Sequence, residues 1–137
     1  MVVDAISGAF DAGFNKGGQT REHAILIRSM GIEDIIVCVN KIDAVGYSKD
    51  RYTYITSLMQ PFLEEIGFKE QNIHMLPISG LTGDNLHERS KKEEFGWYEG
   101  PILTDILGKY YHKIIQTKSK PEPSLDQGFR QAIQSDC

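Results

Sequence analysis

Three polar residues at the end of an apolar run have the chemistry needed to recognise a purine base. The run spans Ile35 to Val39, and Asn40, Lys41 and Asp43 follow it. Such a run predicts a strand buried on both faces of a parallel sheet, and ligands bind beyond the carboxyl ends of these strands. A carboxylate there can accept hydrogen bonds from N1 and the exocyclic N2 of guanine at once. Adenine has no such pair of donors, so Asp43 indicates selectivity for guanine.

A second polar segment decides between binding and a simple turn. Asn and Asp also stabilise ordinary turns after strands, which is the structural alternative for the first segment. A further apolar stretch, His74 to Ile78, ends in Ser79-Gly80-Leu81. This tripeptide is common by itself, but its spacing from the first segment favours one shared binding site. Ser79, Gly80 and Leu81 are therefore candidate contacts to the same base.

Length and composition are those of one globular domain. The chain has 137 residues, of which 40% are hydrophobic and 25% charged, and a net charge of −4. The acidic balance argues against a nucleic-acid-binding surface on this chain. No apolar run reaches membrane-spanning length, and no signal peptide opens the sequence. Cys38 and Cys137 are not placed to pair, so we expect a cytoplasmic protein without membrane contact.

The pattern between the apolar runs predicts an α/β fold. Met1 to Ala5 has the composition of the end of a strand, which indicates a piece of a larger domain. Helices are predicted from Thr20, as the cap, to Met30, and from Ser48 or Lys49 to Ile66. Pro61 should kink or divide the second helix. A last helix is predicted from Pro101 to Tyr111. The order strand, helix, strand, helix, strand predicts a doubly wound parallel sheet.

Apolar stripes at helical spacing define the predicted core faces of these helices. They are Ala24, Ile27 and Met30 in the first helix, Ile55, Leu58, Met59, Phe62, Leu63 and Ile66 in the second, and Ile102, Leu103, Ile106 and Leu107 in the last.

The remaining segments carry structure rather than chemistry. The glycine-rich stretch from Ile6 to Gly18 is predicted to be a compact loop held by aromatic residues, because no Gly-Lys-Ser or Gly-Lys-Thr follows it to bind phosphate. Residues Lys91 to Glu94 are predicted to be a solvated charge cluster. Trp97 and Tyr98 fit either a partner-binding patch or, more commonly, anchors of a loop on the core.

These motifs together resemble the translational GTPases of the elongation factor 1 alpha type. The resemblance rests on Asn40-Lys41-Ile42-Asp43, on Gln19 to His23, and on Ser79 to Leu86. The longer Gly/Phe loop before Gln19 points to the eukaryotic and archaeal branch. Leu81 and the Gly67-Phe68 pair are more similar to the release-factor and ribosome-rescue GTPases of that branch than to the tRNA-delivering factor.

The resemblance implies a fold and a set of roles. Residues 1–112 would be the C-terminal portion of a P-loop GTPase domain, with a mostly parallel sheet flanked by helices, and residues 113–137 a linker and the start of a second, β-barrel domain. The ligand would be GTP or GDP. Asp43 would accept from guanine N1 and N2, Lys41 would cover the base, Asn40 would order the loop, and a backbone N–H in Ser79 to Leu81 would reach O6.

The resemblance also implies partners and missing parts. The parent protein would act on the ribosome with tRNA or a release or rescue factor. In the family's order, the phosphate loop, the threonine that binds Mg²⁺ and the Asp-x-x-Gly motif precede Val2. Since phosphoryl transfer depends on those groups, we expect this chain alone not to hydrolyse GTP and to bind guanine nucleotides weakly or not at all.

One further expectation concerns the sheet, and two alternatives concern the function. Exposed edges of the incomplete sheet should favour self-association. The alternative function is a non-catalytic protein-interaction module derived from a truncated GTPase domain, with the Gly/Phe loop and Trp97-Tyr98 meeting a partner. An unrelated α/β enzyme of flavodoxin-like topology would have to produce every one of these motifs by coincidence.

Overall fold

The computed structural model describes the backbone of residues 1–118 and the side chains of residues 1–112. A first compact unit spans Met1–Thr104, and a second begins at Asp105. The predicted start of a second domain stays a prediction, since most of residues 113–137 lie outside the described part. The regular elements are β1 Val2–Asp4, α1 Ala9–Phe14, α2 Gln19–Ser29, β2 Ile35–Asn40, α3 Lys49–Glu65, β3 Ile73–Pro77 and α4 Leu103–Lys118.

A parallel three-stranded sheet forms the centre of the first unit. The strand order is β1-β2-β3, so β2 is the middle strand. Asp4 is level with Asn40 at the carboxyl ends of β1 and β2, and Val39 is level with Pro77 of β3. Val37 and Val39 are fully buried, and Cys38 is buried with a free thiol whose pKa is raised by burial. The predicted parallel sheet is confirmed. The predicted self-association stays a prediction.

Helix α3 follows its predicted bounds closely. The Ser48 hydroxyl accepts a hydrogen bond from the Arg51 amide at 3.2 Å, which caps the helix start. Pro61 is predicted to kink the helix or divide it; division is wrong, because α3 runs unbroken from Lys49 to Glu65, and the kink stays a prediction. Pro61 and Ser57 are both exposed, so water can pair with the Ser57 carbonyl that a proline leaves without its helical donor. The buried face of α3 consists of Ile55, Met59, Phe62 and Leu63.

The glycine-rich segment contains a short helix rather than only a loop. In α1, Phe10 is buried and stacks on Phe14 with ring centroids 5.1 Å apart, so the predicted aromatic anchoring is confirmed. Helix α2 is preceded by Gly18 as its N-cap, not by Thr20. A Cβ at Gly18 would lie 2.2 Å from the carbonyl oxygen of Gly13, which no other residue could tolerate.

Three predicted core positions, Met30, Leu58 and Leu107, are exposed instead. Met30 follows α2 and is 71% exposed, although Ala24 of the same stripe is fully buried. Helix α4 begins at Leu103 rather than Pro101 and continues past Tyr111 to Lys118. Within its described side chains, Ile106 is buried whereas Leu107 is exposed.

None of the described helices combines the length and apolar character needed to cross a membrane.

Candidate functional site

The first loop of the site, residues 40–47, follows β2 in an unusual backbone path. Lys41 adopts a left-handed conformation with φ 63°, and a 3-10 turn then spans Ile42–Val45. Ile42 is fully buried, and its amide donates to the carbonyl of Ile78 at 3.2 Å. This anchor fixes the loop to the end of β3, with Lys41 and Asp43 on either side of a buried residue.

The second loop, residues 79–85, is bonded directly to the first. The buried Ser79 donates from its hydroxyl to Asp43 Oδ1 at 2.6 Å and accepts from the Thr82 amide at 3.1 Å. The Gly80 amide donates to Asn40 Oδ1 at 2.8 Å. Two side chains of the first motif are therefore held by the second motif, as parallel strands that end at one edge of a sheet allow.

A cavity of about 460 Å³ opens between the two loops, a size typical of small-molecule sites. Leu81 lies at its rim and is 87% exposed. Ser79 does not line the cavity, but it supports Asp43 from behind. Ala44 is a lining residue that the sequence did not indicate. The lining comprises Asn40, Lys41, Asp43, Ala44, Gly80 and Leu81, so five of the six predicted site residues line the cavity, and the sixth, Ser79, is bonded to Asp43.

Lys41 is held by a residue outside both loops. Its ammonium donates to Asp4 Oδ2 at 2.6 Å, and Asp4 is the last residue of β1. The other oxygen, Oδ1, accepts from the Ile6 amide at 2.8 Å. Sequence reasoning missed Asp4 because its partner is distant along the chain. The position of Asp4 at the end of a strand was the one feature of the sequence that could have indicated its role.

A second polar cluster joins the far ends of the two loops. The Tyr47 hydroxyl donates to Asp84 Oδ2 at 3.0 Å, and the Lys92 ammonium lies 2.9 Å from the same oxygen and also donates to the Tyr47 hydroxyl. Burial raises the pKa of Asp84, but hydrogen bonds from Thr82, Lys92, Ser90 and Tyr47 outweigh it and hold that pKa well below 3.8. The prediction that Lys92 is merely solvated is therefore wrong.

Asn85 is the structural centre of the second loop. It is 1% exposed and left-handed, with φ 60°. Its side chain donates to the Pro77 carbonyl at 3.1 Å and accepts from the Ser90 amide at 3.2 Å. A buried side-chain amide that bonds to two backbone groups holds both of those segments in place. It fixes the chain after the second loop to the end of β3.

The aromatic residues beyond the second loop are anchors. The Trp97 indole donates to the Tyr47 carbonyl at 2.7 Å, and Tyr98 is partly buried against the core. Burial raises the pKa of Tyr98 to about 12. These contacts confirm the anchoring interpretation of Trp97 and Tyr98.

The described residues do not fit a metal centre. In that part of the chain, no three His, Cys, Asp or Glu side chains lie close enough together to hold an ion.

Comparisons with known proteins agree with this architecture. Residues 1–120 match the model of the elongation factor Tu GTP binding domain. The chain is 42% identical to the protein HBS1 of Drosophila melanogaster over 97% of its length, and 43% identical to elongation factor 1-alpha of Hyperthermus butylicus over 98%. It spans only 19% and 29% of those two relatives.

Solved structures give the same result. A crystal structure of Sup35 complexed with GMPPNP superposes with a TM-score of 0.71 at 37% identity, over 77% of this chain and 27% of Sup35. A Sup35 complex with GDP superposes equally well. The P-loop GTPase fold predicted from the sequence is confirmed, for the part of that domain that is present. The chain belongs to the family of translation-factor GTPases defined by the elongation factor Tu GTP binding domain.

Proposed function

We propose that this chain is the guanine-recognising part of a translation-factor GTPase, and that the cavity between the two loops receives the base of GTP or GDP. The observation that carries the proposal is the hydrogen bond from Ser79 to Asp43 Oδ1. It joins the two motifs and holds the carboxylate at the cavity wall. A carboxylate fixed in this way needs no reorganisation to accept from guanine N1 and N2.

The other lining residues have separate roles in this proposal. Oδ1 keeps a second lone pair and Oδ2 accepts from no donor among the described residues, so Asp43 can still accept two hydrogen bonds. The Gly80 amide is occupied by Asn40. The Leu81 amide donates to no acceptor among the described groups, and Leu81 is one of the residues that line the cavity. We assign contact with guanine O6 to Leu81, base covering to Lys41 and loop ordering to Asn40.

The wider role concerns the parent protein. Relatives of this chain include an elongation factor and the GTP-binding subunit of a eukaryotic peptide chain release factor from Candida albicans. We propose that the parent binds and hydrolyses GTP on the ribosome, with tRNA or a release or rescue factor as partner, in the cytoplasm. The residues described here supply no phosphate-binding or catalytic group, so hydrolysis by this chain alone is not expected.

The alternative, an interaction module built on the aromatic residues, has less support. Phe10 is buried, and the Trp97 indole is bonded to the backbone of Tyr47. Both side chains are occupied within the first unit and are poor candidates for contacts with a partner.

The first test is calorimetric titration of the chain with GDP and, in parallel, with ADP. We expect weak binding of GDP, with a dissociation constant on the order of 1 mM, and no binding of ADP. Circular dichroism establishes that the chain is folded. Equal binding of both nucleotides would contradict base recognition by these residues, whereas no binding by the folded chain would mean that the cavity needs the preceding half of the GTPase domain.

A substitution tests the role of Asp43 directly. Asp43→Asn replaces an acceptor oxygen by a donor, so GDP affinity should fall by at least about tenfold. The affinity for xanthosine diphosphate should rise, because its C2 oxygen can accept a hydrogen bond from the new amide. Asp50→Asn makes the same charge change on an exposed residue at the start of α3 and should leave both affinities unchanged. An unaltered preference for guanine in Asp43→Asn would exclude this role.

A further inference from the structure

We propose that Asp4 is a positioning residue for the base cavity, which acts by holding Lys41 across the cavity wall. The inference rests on the proposed function and extends it to a residue outside both loops. It starts from one contact, the 2.6 Å ion pair between Lys41 Nζ and Asp4 Oδ2.

The sheet register explains why this pair forms. Asp4 ends β1 and is level with Asn40, the last residue of β2. Lys41 follows at once in a left-handed conformation, which redirects the chain at the end of the strand. Two adjacent strands thus deliver a carboxylate and an ammonium group to the same edge of the sheet.

The Asp4 carboxylate is itself fixed in orientation. Its Oδ1 accepts from the Ile6 amide at 2.8 Å, which closes a turn directly after β1. Oδ2 is left to face Lys41. The backbone therefore determines where the negative charge lies, and Lys41 adapts to it.

Lys41 needs such a partner because its side chain is otherwise free. The side chain is 53% exposed, and a lysine carries its charge at the end of a flexible four-carbon stem. Exposed ion pairs add little to folding stability. This pair instead selects one path for the aliphatic stem of Lys41, a residue that lines the cavity. A wall already in place spares the ligand the cost of ordering it.

The test uses Asp4→Asn, titrated with GDP and with inosine diphosphate, which lacks the exocyclic N2. Asparagine keeps an oxygen that can accept from Ile6 but loses the charge that attracts Lys41. We expect affinity for both nucleotides to fall by the same factor, about two- to fivefold. Asp43→Asn should instead weaken GDP more than inosine diphosphate. Asp50→Asn serves as the charge-matched control.

A double variant shows whether Asp4 acts through Lys41. Lys41→Met keeps an apolar stem without the charge, so adding Asp4→Asn to Lys41→Met should cause no further loss. An additional loss in the double variant, wild-type affinity in Asp4→Asn, or a changed ratio between the two nucleotides would overturn the proposal.

A second measurement does not depend on nucleotide binding. Relaxation of ¹³Cε-labelled lysines should show Lys41 more ordered than the exposed Lys49, and Asp4→Asn should remove that difference. If the wild-type chain binds GDP and ADP equally, the proposed function fails, while the relaxation result still decides whether Asp4 orders Lys41. Equal mobility of Lys41 in both proteins would exclude that role.

Discussion

At the carboxyl end of the sheet, polar side chains bond to one another across two loops, whereas the outer face of α2 leaves apolar side chains in water. Ser79, Asp84 and Asn85 each bond to more than one group. Ile25 and Leu26 of α2 are exposed. The difference shows that the end of the sheet that carries the cavity is organised by contacts within the described chain, whereas Ile25 and Leu26 are left exposed to solvent.

The largest effect in this comparison is expected from the buried amide. Asn85→Ala leaves the Pro77 carbonyl and the Ser90 amide without their partner and places alanine at a positive φ. The free energy of unfolding should fall by about 2–4 kcal/mol, measured by urea denaturation.

The matched control is another asparagine. Asn72→Ala removes a 3.3 Å hydrogen bond to the Glu33 carbonyl at an exposed position, and should cost less than about 1 kcal/mol. Equal losses for the two variants would remove the contrast between the organised end of the sheet and the surface.

A smaller, pH-dependent effect is expected from Asp84→Asn. The folded-state pKa of Asp84 lies below 3.8, so its stabilising contribution is fully present above that value and is lost as pH falls below it. Wild type should exceed Asp84→Asn in unfolding free energy at pH 7, and the gap should shrink as pH falls below about 4.

Denaturation curves of both proteins between pH 7 and pH 2 measure this gap. Asp50→Asn corrects for the general effect of removing one negative charge. A gap that stays constant or widens in acid would show that the cluster around Asp84 does not favour its charged form.

The smallest effect is expected at Met30, the residue that directly follows α2 beside its outer face. Met30 is 71% exposed, so Met30→Gln should alter the free energy of unfolding by less than about 0.5 kcal/mol. Met59 is fully buried in α3, and Met59→Gln provides the contrast for the same chemical change. A comparable loss at Met30 would show that this face is packed in solution.

The sequence predicted what strong local signals determine. The apolar run of β2 and the Ser48 cap of α3 gave bounds within a residue or so of the structure. The six candidate site residues were proposed because their motifs lie at the carboxyl ends of strands. Burial on both faces and side-chain capping act over a few residues, so they can be recognised without the fold.

Long-range contacts explain what was missed. Lys92 looks solvated until Asp84 and Tyr47 are placed beside it. Asp4 gains its role only from the register of β1 with β2. Pro61 appeared to break a helix that the burial of its neighbouring residues maintains. In each case tertiary packing overrode a local preference.

The spacing of the bonds at the site has a consequence for folding. Ser79 and Asp43 are 36 residues apart, Lys41 and Asp4 are 37 apart, and Gly80 and Asn40 are 40 apart. Each bond therefore closes a long loop. The conformational entropy lost in closing that loop opposes folding until the hydrogen bond forms. The cavity should assemble late, after the three strands have aligned. A nascent chain that has emerged only as far as Asp43 would carry Asn40, Lys41 and Asp43 without the cavity that they line in the folded chain.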